Sequence, residues 1–521
     1  MKKHTPPPPE TLSPGLRRFL YCTAAVTGGA IMIVEILGAK MLAPYVGTSH
    51  FVWTAQIAVT LVALAAGYYA GGKLVDQSPQ LGRLYAAILF AGVYLGATTL
   101  AVRPVAYWCL DFKLAVGSLL ASGFLFFVPL ALLAMVGPFL VRMLTSSVNG
   151  VGGNVGRLTA LSTLGSFAGT LLIGYVLIPL LPNSFTMMLT ACALFVLVVI
   201  YFFGWGRKAR NRAGIVVALV LGLGLGFGGV ERERRVSFRD SVELHRANSN
   251  FGLLQVLDSQ SSDYRLYLND YLVQNTYAPI AKQSMSMFTY MLHDLARAYT
   301  PDLRRALCIG LGVGIVPMRF VREGVAVDVV EINPAVAPVA RQYFDCDPGR
   351  FNLVIDDGRH FVNRTTNRYD TIILDAFLGD SSPSHLMTRE AFDAMRQRLR
   401  PGGTLVINCF ADFRPRHDFL GASLDKTLKN VFRSVRIHAL SGGNVFFVAS
   451  DLPELVVLHE PDFTQIHPAV RAQVQACFHS LAAADPGHGR VLTDDHNPVE
   501  FHDAANREVI RRNLAQSQRT F

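Results

Sequence analysis

The strongest constraint on this 521-residue chain is a series of seven apolar runs, at 19–42, 51–72, 84–102, 117–140, 158–181, 184–204 and 213–230. About 20 apolar residues suffice to cross a hydrocarbon core roughly 30 Å thick. No water is present there to satisfy peptide groups, so such runs must be helices. The N-terminal part is therefore expected to be a polytopic α-helical bundle with the lipid bilayer as its partner. Trp53, Trp108 and Trp205 stand at or beside run ends, as an interfacial aromatic belt requires. The first run is too long for a cleaved signal peptide, and no small-residue cleavage site precedes a mature domain.

Beyond about residue 230 the chain reads differently. Charged residues make up only 17% of the whole, against about 25% in ordinary soluble proteins, and the deficit lies in the apolar runs. Two regimes imply at least two domains. The expected order is a proline-rich tail over 1–16, a membrane domain over 17–232, a globular domain over 240–455 and an extension over 456–521. The net charge of +10 gathers at the flanks of the runs, so nucleic acid is not expected as a partner. The seven cysteines are odd in number and lack CxxC spacing. They predict neither a disulfide framework nor a metal site.

With the N-terminus in the cytoplasm, Lys2, Lys3, Arg17, Arg18, Lys73, Arg83, Arg142, Arg157, Arg207, Lys208, Arg210 and Arg212 fall inside. Only Arg103 and Lys113 fall outside, a count of twelve against two. This is the bias of a multi-pass protein of a bacterial-type inner (plasma) membrane. Seven crossings would then put the globular domain outside the cytoplasm, unless the glycine-rich run 213–230 re-enters or lies in the interface. Gly67 and Gly71, and Gly165 and Gly169, have the spacing that lets helices approach closely. Glu35 stands near the middle of the first run, with Lys40 beyond it. An acid at that depth needs a partner within the bundle or a functional role.

From Phe251 the period shortens to that of strands, at 251–257, 264–268 and 271–274, with a turn at Asn269-Asp270. This predicts a small antiparallel sheet over 249–275. A helix follows around 282–298. Strands at 305–309, 325–330, 352–355, 370–375 and 403–408 then alternate with helices at 315–323, 334–344, 388–399 and 417–431, before closing strands at 434–440 and 444–450. Alternation of this kind predicts an α/β domain over 300–455, a mostly parallel sheet with helices on both faces.

Gly310, Gly312 and Gly314 follow the first of these strands and open a helix, where bare backbone amides can approach a ligand. Glu331 ends the next strand, 21 residues after Gly310, where an acid can accept both hydroxyls of a ribose. Asp356, Asp357 and Gly358 end the third strand, and Asp375 ends the fourth. All lie at carboxyl ends of consecutive strands, the edge at which open α/β sheets bind ligands.

The stretches LYLNDYLVQ (266–274), VVEIN (329–333), VIDDGRHF (354–361), YDTIILDAF (369–377), PGGTLVIN (401–408) and LTDDHNPVE (492–500) resemble the spermidine synthase family. With the apolar runs, the chain is similar to its membrane-fused bacterial group. The resemblance implies a Rossmann-like, methyltransferase-type fold, a donor substrate, decarboxylated S-adenosylmethionine or S-adenosylmethionine, and no metal. It implies that Glu331 holds ribose, that Asp357 and Gly358 hold adenine, and that Asp375 deprotonates an amine acceptor. Gln274 and Asp380 would face that acceptor, with Asp494 and Asp495 at the rim, and a homo-oligomer is compatible with the family. The pattern also has gaps. Val313 replaces an aspartate, Gly252 a glutamine, Thr289 and Tyr290 a His-Glu pair, and Leu378 the second acid of the catalytic motif. Those groups grip a diamine, so putrescine is expected to be a poor acceptor. Three functions stay open: amine aminopropylation, methylation of a membrane-delivered acceptor, and transport or sensing of a polyamine or nucleoside with a non-catalytic domain.

Overall fold

The computed structural model describes residues 12–47, 50–145, 151–206, 212–234, 241–377, 383–415, 417–440 and 443–502. The chain divides into two compact units, Met1–Val236 and Ser237–Phe521.

Among its described residues, the first unit has seven helices long and apolar enough to cross a membrane. They are Pro14–Val46, Phe51–Gln77, Leu81–Cys109, Leu114–Leu144, Val151–Leu180, Asn183–Gly204 and Arg212–Arg234. The last is one unbroken helix of 23 residues, about 35 Å at ~1.5 Å per residue. The spaced glycines are contact points. A Cβ at Gly67 would meet the carbonyl of Ala131, and one at Gly71 would lie 2.8 Å from the Cα of Met135. A Cβ at Gly165 would collide with the carbonyl of Ala25, and one at Gly169 would lie 2.6 Å from the carbonyl of Gly29. Glycine is needed at these positions because the opposing backbone occupies the space of a side chain.

The second unit begins with five strands in sequential antiparallel order: β1 (Ser241–Ser249), β2 (Gly252–Ser259), β3 (Arg265–Asn269), β4 (Leu272–Ala278) and β5 (Gln283–Ser284). The expected sheet over 249–275 lacked its first and last strands. The β3–β4 turn is Asp270-Tyr271, one residue later than expected. Both residues have positive φ, 47° and 63°, the conformation that suits the right-handed twist of a two-residue hairpin. The next helix starts at Met287 and not near 282, because Gln283 and Ser284 pair with β4.

Eight strands form the second sheet. They are β6 (Arg305–Ile309), β7 (Ala326–Glu331), β8 (Asn352–Ile355), β9 (Tyr369–Leu374), β10 (Leu399–Ala411), β11 (Ser434–Ala439), β12 (Gly443–Ser450) and β13 (Leu481–Ala482). The spatial order is β13-β11-β12-β10-β9-β6-β7-β8, with β8 to β10 parallel and the rest antiparallel. The chain moves outward from β6 through β7 to β8, then returns to the other side of β6 as β9. This reversal makes a Rossmann-like, methyltransferase-type sheet with its switch point between β6 and β9. The sheet's two faces are covered by separate apolar clusters, one around Leu292, Phe320 and Phe446 and the other around Phe392, Leu424 and Phe447. Described residues between 456 and 502 contribute to this core. β13 pairs with β11, Val474 and Phe478 pack on one face, and Leu492 and Val499 pack on the other.

Candidate functional site

Strand register places the candidate residues in one row. Ile309 pairs with Val330 and with Leu374, and Glu331 pairs with Ile355. Gly310, Glu331, Asp356 and Asp375 therefore stand side by side at the carboxyl edge of β6, β7, β8 and β9. They line a cleft of about 470 Å³, together with Gly312, Asp357, Gly358 and Gln274. That volume is suited to a nucleoside-sized ligand.

The glycine loop is shaped by close approach. Gly310 has φ 102°, and a Cβ there would run into the carbonyl of Asp375. Gly312 has φ 53° and open space where a Cβ would stand, which leaves bare backbone toward the cleft. Gly314 caps the following helix, Ile315–Arg322.

Glu331 is 9% exposed. Its Oε2 accepts the backbone N–H of Leu311 at 3.0 Å and its Oε1 that of Asn333 at 2.8 Å. Burial pushes its carboxyl up, opposed by these amides. One bond to each oxygen leaves lone pairs for two more donors. The acid thus fixes the loop and keeps capacity for a diol.

Asp357 caps the helix Gly358–Arg364 by accepting the backbone N–H of His360 at 3.0 Å. Its Oδ2 lies 3.0 Å from Nε2 of His385, a cleft residue that local sequence does not reveal. Burial raises the Asp357 carboxyl, but the His360 amide and His385 hold it below its usual range. Asp356 accepts from Nδ1 of His360 at 2.8 Å. A Cβ at Gly358 would lie 2.5 Å from Ile309 Cγ2, so the chain passes directly over β6 there.

Asp375 has different surroundings. Burial pushes its carboxyl up to about 6, against one hydrogen bond from Asn408. Asn408 Nδ2 donates to Asp375 Oδ1 at 2.9 Å, and Asn444 Nδ2 donates to Asn408 Oδ1 at 2.8 Å. This relay runs across β9, β10 and β12. Both asparagines line the cleft, with Phe251, Phe288, Phe377 and Phe410. The arrangement can take a proton from a group in an apolar, amide-lined pocket.

The remaining expected residues lie elsewhere. Asp494 does not line the cleft. Its Oδ2 accepts from Arg359 Nη2 at 2.8 Å and its Oδ1 from Thr388 Oγ1 at 2.7 Å. It ties a segment near the end of the described chain to the helix that follows Gly358. Asp495 is exposed beside it, also off the cleft. The local helix Val499–His502 is capped by Asn497 and not by these acids. Asp380 and Leu378 lie outside the described residues. Of the departures from the family pattern, Val313 and Thr289 line the cleft. Tyr290 instead donates to the carbonyl of Ser284 at 2.8 Å and does not line the cleft. Gly252 has φ 118°, and a Cβ there would collide with Asn269 Oδ1.

Comparison with known proteins identifies the family. Residues 285–444 match the model of the spermine/spermidine synthase domain. The polyamine aminopropyltransferase of Vibrio vulnificus is 31% identical over 226 residues, 41% of this chain and 75% of that protein. The N-terminal histidine N-methyltransferase of Emericella nidulans is 29% identical over 244 residues, 42% of this chain, which spans only 40% of that relative. The putrescine N-methyltransferase 2 of Nicotiana tabacum is 32% identical over 126 residues, 23% of this chain and 36% of that one. A probable spermidine synthase from Corynebacterium glutamicum has a TM-score of 0.37 at 21% identity, covering 47% of this chain and 95% of the other. With its glycine loop, strand-end acids and matched domain, the chain belongs to the spermidine synthase (polyamine aminopropyltransferase) family.

Proposed function

We propose that the protein is a membrane-anchored transferase. It moves an alkyl group from an S-adenosylmethionine-type donor to an amine nitrogen, with Asp375 as the base. Asp375 carries this reading: it is a carboxylate raised to about 6, set against the glycine loop and oriented by Asn408. A donor sulfonium supplies an activated carbon when bound. Glu331, Asp357 and Gly358 hold the nucleoside, and the open backbone at Gly312 lets it approach. Asp375 accepts the proton that an ammonium must lose before it can attack, as general-base chemistry near neutral pH requires.

The first reading is aminopropyl transfer from the decarboxylated donor, which releases methylthioadenosine. Methyl transfer from S-adenosylmethionine is the second, favoured by Val313 and Thr289 in the cleft and by the glycine-only backbone at Gly252. A diamine needs a second anionic contact, and these positions supply none. Relatives named for methylation of an N-terminal histidine and of putrescine fit a fold that serves either transfer.

The full-length protein, purified in detergent, is given each donor with putrescine, a monoamine or no acceptor, and released nucleosides are identified by mass. Methylthioadenosine or S-adenosylhomocysteine that forms only with an amine is the expected result, with putrescine a poor acceptor. Putrescine turnover near ~10 s⁻¹, the common enzyme median, would overturn the argument from the missing acids. Nucleoside binding without turnover of either donor would favour transport or sensing.

A further inference from the structure

The helical unit holds polar groups for which the transferase reading has no use. Gln56, on Phe51–Gln77, is 0% exposed, and neither atom of its amide has a hydrogen-bond partner. That amide lies on the bare face of Gly38 in the first helix. A Cβ at Gly38 would stand 2.8 Å from Gln56 Nε2 and 3.0 Å from the Phe126 ring of the fourth helix. Ser122 precedes Phe126 by one turn and shares its face. It too is fully buried, with an unpartnered hydroxyl.

Two further features fall at the same depth. Phe126 belongs to a π-helical turn, Gly123–Phe127, a distortion frequent at functional sites. The turn is held open from outside: Thr98 Oγ1 donates to the carbonyl of Leu125 at 3.2 Å, and Tyr94 Oη to that of Phe124 at 2.5 Å. A second π turn, Ile173–Leu177, lies on the fifth helix. Contacts between Ala25 and Gly165, then Gly29 and Gly169, set a parallel register between the first and fifth helices. Two more turns of that register bring this π turn level with Glu35. Among the described residues, Glu35 has no hydrogen bond or ion pair, with Lys40 or any other group.

Unpartnered polar groups in apolar surroundings are costly, and an ionisable one within a membrane span generally serves a function. Here the Glu35 carboxylate, the Gln56 carbonyl and the Ser122 hydroxyl are acceptors carrying one negative charge in total. A primary ammonium presents three N–H donors and one positive charge. An anion would be repelled by Glu35, calcium or magnesium needs more oxygen ligands than this group supplies, and the nitrogen and sulfur ligands that zinc favours are missing from it. We propose that Glu35, Gln56 and Ser122 form a second amine site, in the helical unit, for the ammonium group of a small amine. This rests on reading that unit as membrane-spanning.

The test uses the full chain in lipid nanodiscs of phosphatidylethanolamine and phosphatidylglycerol, with radiolabelled butylamine as the probe. The background carries Asp375→Asn to disable the cleft. Butylamine should bind saturably. Glu35→Gln, Gln56→Leu and Ser122→Ala should each weaken that binding, the first two by tenfold or more. Methylthioadenosine affinity should stay unchanged in all three, which shows that the chain is folded. Removing an orphaned amide should also leave the melting temperature of Gln56→Leu unchanged or raised. Absence of butylamine binding, or equal binding in Glu35→Gln and Ser122→Ala, would overturn the proposal while leaving the spanning reading intact. Recovery of the chain in aqueous buffer without detergent would overturn both.

Discussion

Replacing Asp375 by asparagine separates catalysis from stability in a way that the structure makes quantitative. The carboxyl is moved from an ordinary 3.8 to about 6 by burial. At about 1.4 kcal/mol per pH unit, the folded protein therefore disfavours the charged form by about 3 kcal/mol relative to the unfolded chain. The sign follows from linkage. Well below 3.8, at about pH 3 and lower, the group is mostly neutral in both states and has little effect. As pH rises through 6 the unfolded chain ionises first, and stability is lost until both states are charged. Asp375→Asn keeps the shape, and its amide oxygen can still accept from Asn408 Nδ2. The variant should come close to the parent at about pH 3 and gain up to about 3 kcal/mol at pH 7, a rise of several degrees in melting temperature. Its turnover should fall by about 10²–10⁴-fold, with methylthioadenosine affinity unchanged. The parent's own rate should climb with pH and level off above about 6. The assays are melting of the full-length protein between about pH 3 and 8, calorimetric binding and a rate profile. A variant that is less stable at pH 7 and binds donor more weakly would show that Asp375 only caps its strand. An unchanged rate would remove it as the base.

Glu331→Ala loses the bonds to Leu311 and Asn333 as well as the ribose acceptor. Methylthioadenosine affinity should drop by about ten- to a hundredfold, and calorimetry giving equal affinities would refute the assignment. Gly252→Gln restores the family residue at a backbone that only glycine adopts comfortably, so it should cost about 1–3 kcal/mol and bring no putrescine activity. An unchanged melting temperature would contradict the strain. Asn444→Ala frees the Asn408 amide to rotate, so turnover should fall by roughly tenfold, about 1.4 kcal/mol, while donor affinity holds. A loss of donor binding instead would place Asn444 in the donor half of the cleft.

The helical runs and the row of strand-end acids were legible in the sequence because each rests on a local rule. Those rules are the length of apolar chain needed to cross a bilayer and the short turn that follows a parallel strand. β1 was not legible. Ser241–Ser249 has no fully buried position, and its alternating apolar residues Val242 and Leu244 face outward, against the usual pattern of a strand on a core. The Asp375–Asn408–Asn444 relay was equally hidden, since it depends on β10 pairing with both β9 and β12, and no local pattern reports pairing partners. Asp494 was visible as an acid but misread as a rim residue. Its partner Arg359 lies 135 positions earlier, too far for spacing to suggest it. His385 meets Asp357 only because residues 383–386 fold back over the end of β8, a path set by tertiary packing.

The Asp494–Arg359 contact also fixes an order of events during synthesis. Gly358–Arg364 is a helix of seven residues, too short to persist by itself in water. The carboxylate that clamps it leaves the ribosome 135 residues later, a delay of about 7 to 27 s at roughly 5–20 residues per second. Until then this helix has its Asp357 cap but lacks its tether to the C-terminal segment. The part of the unit built from residues 358–364 is therefore fastened on both sides only after residue 494 has been delivered.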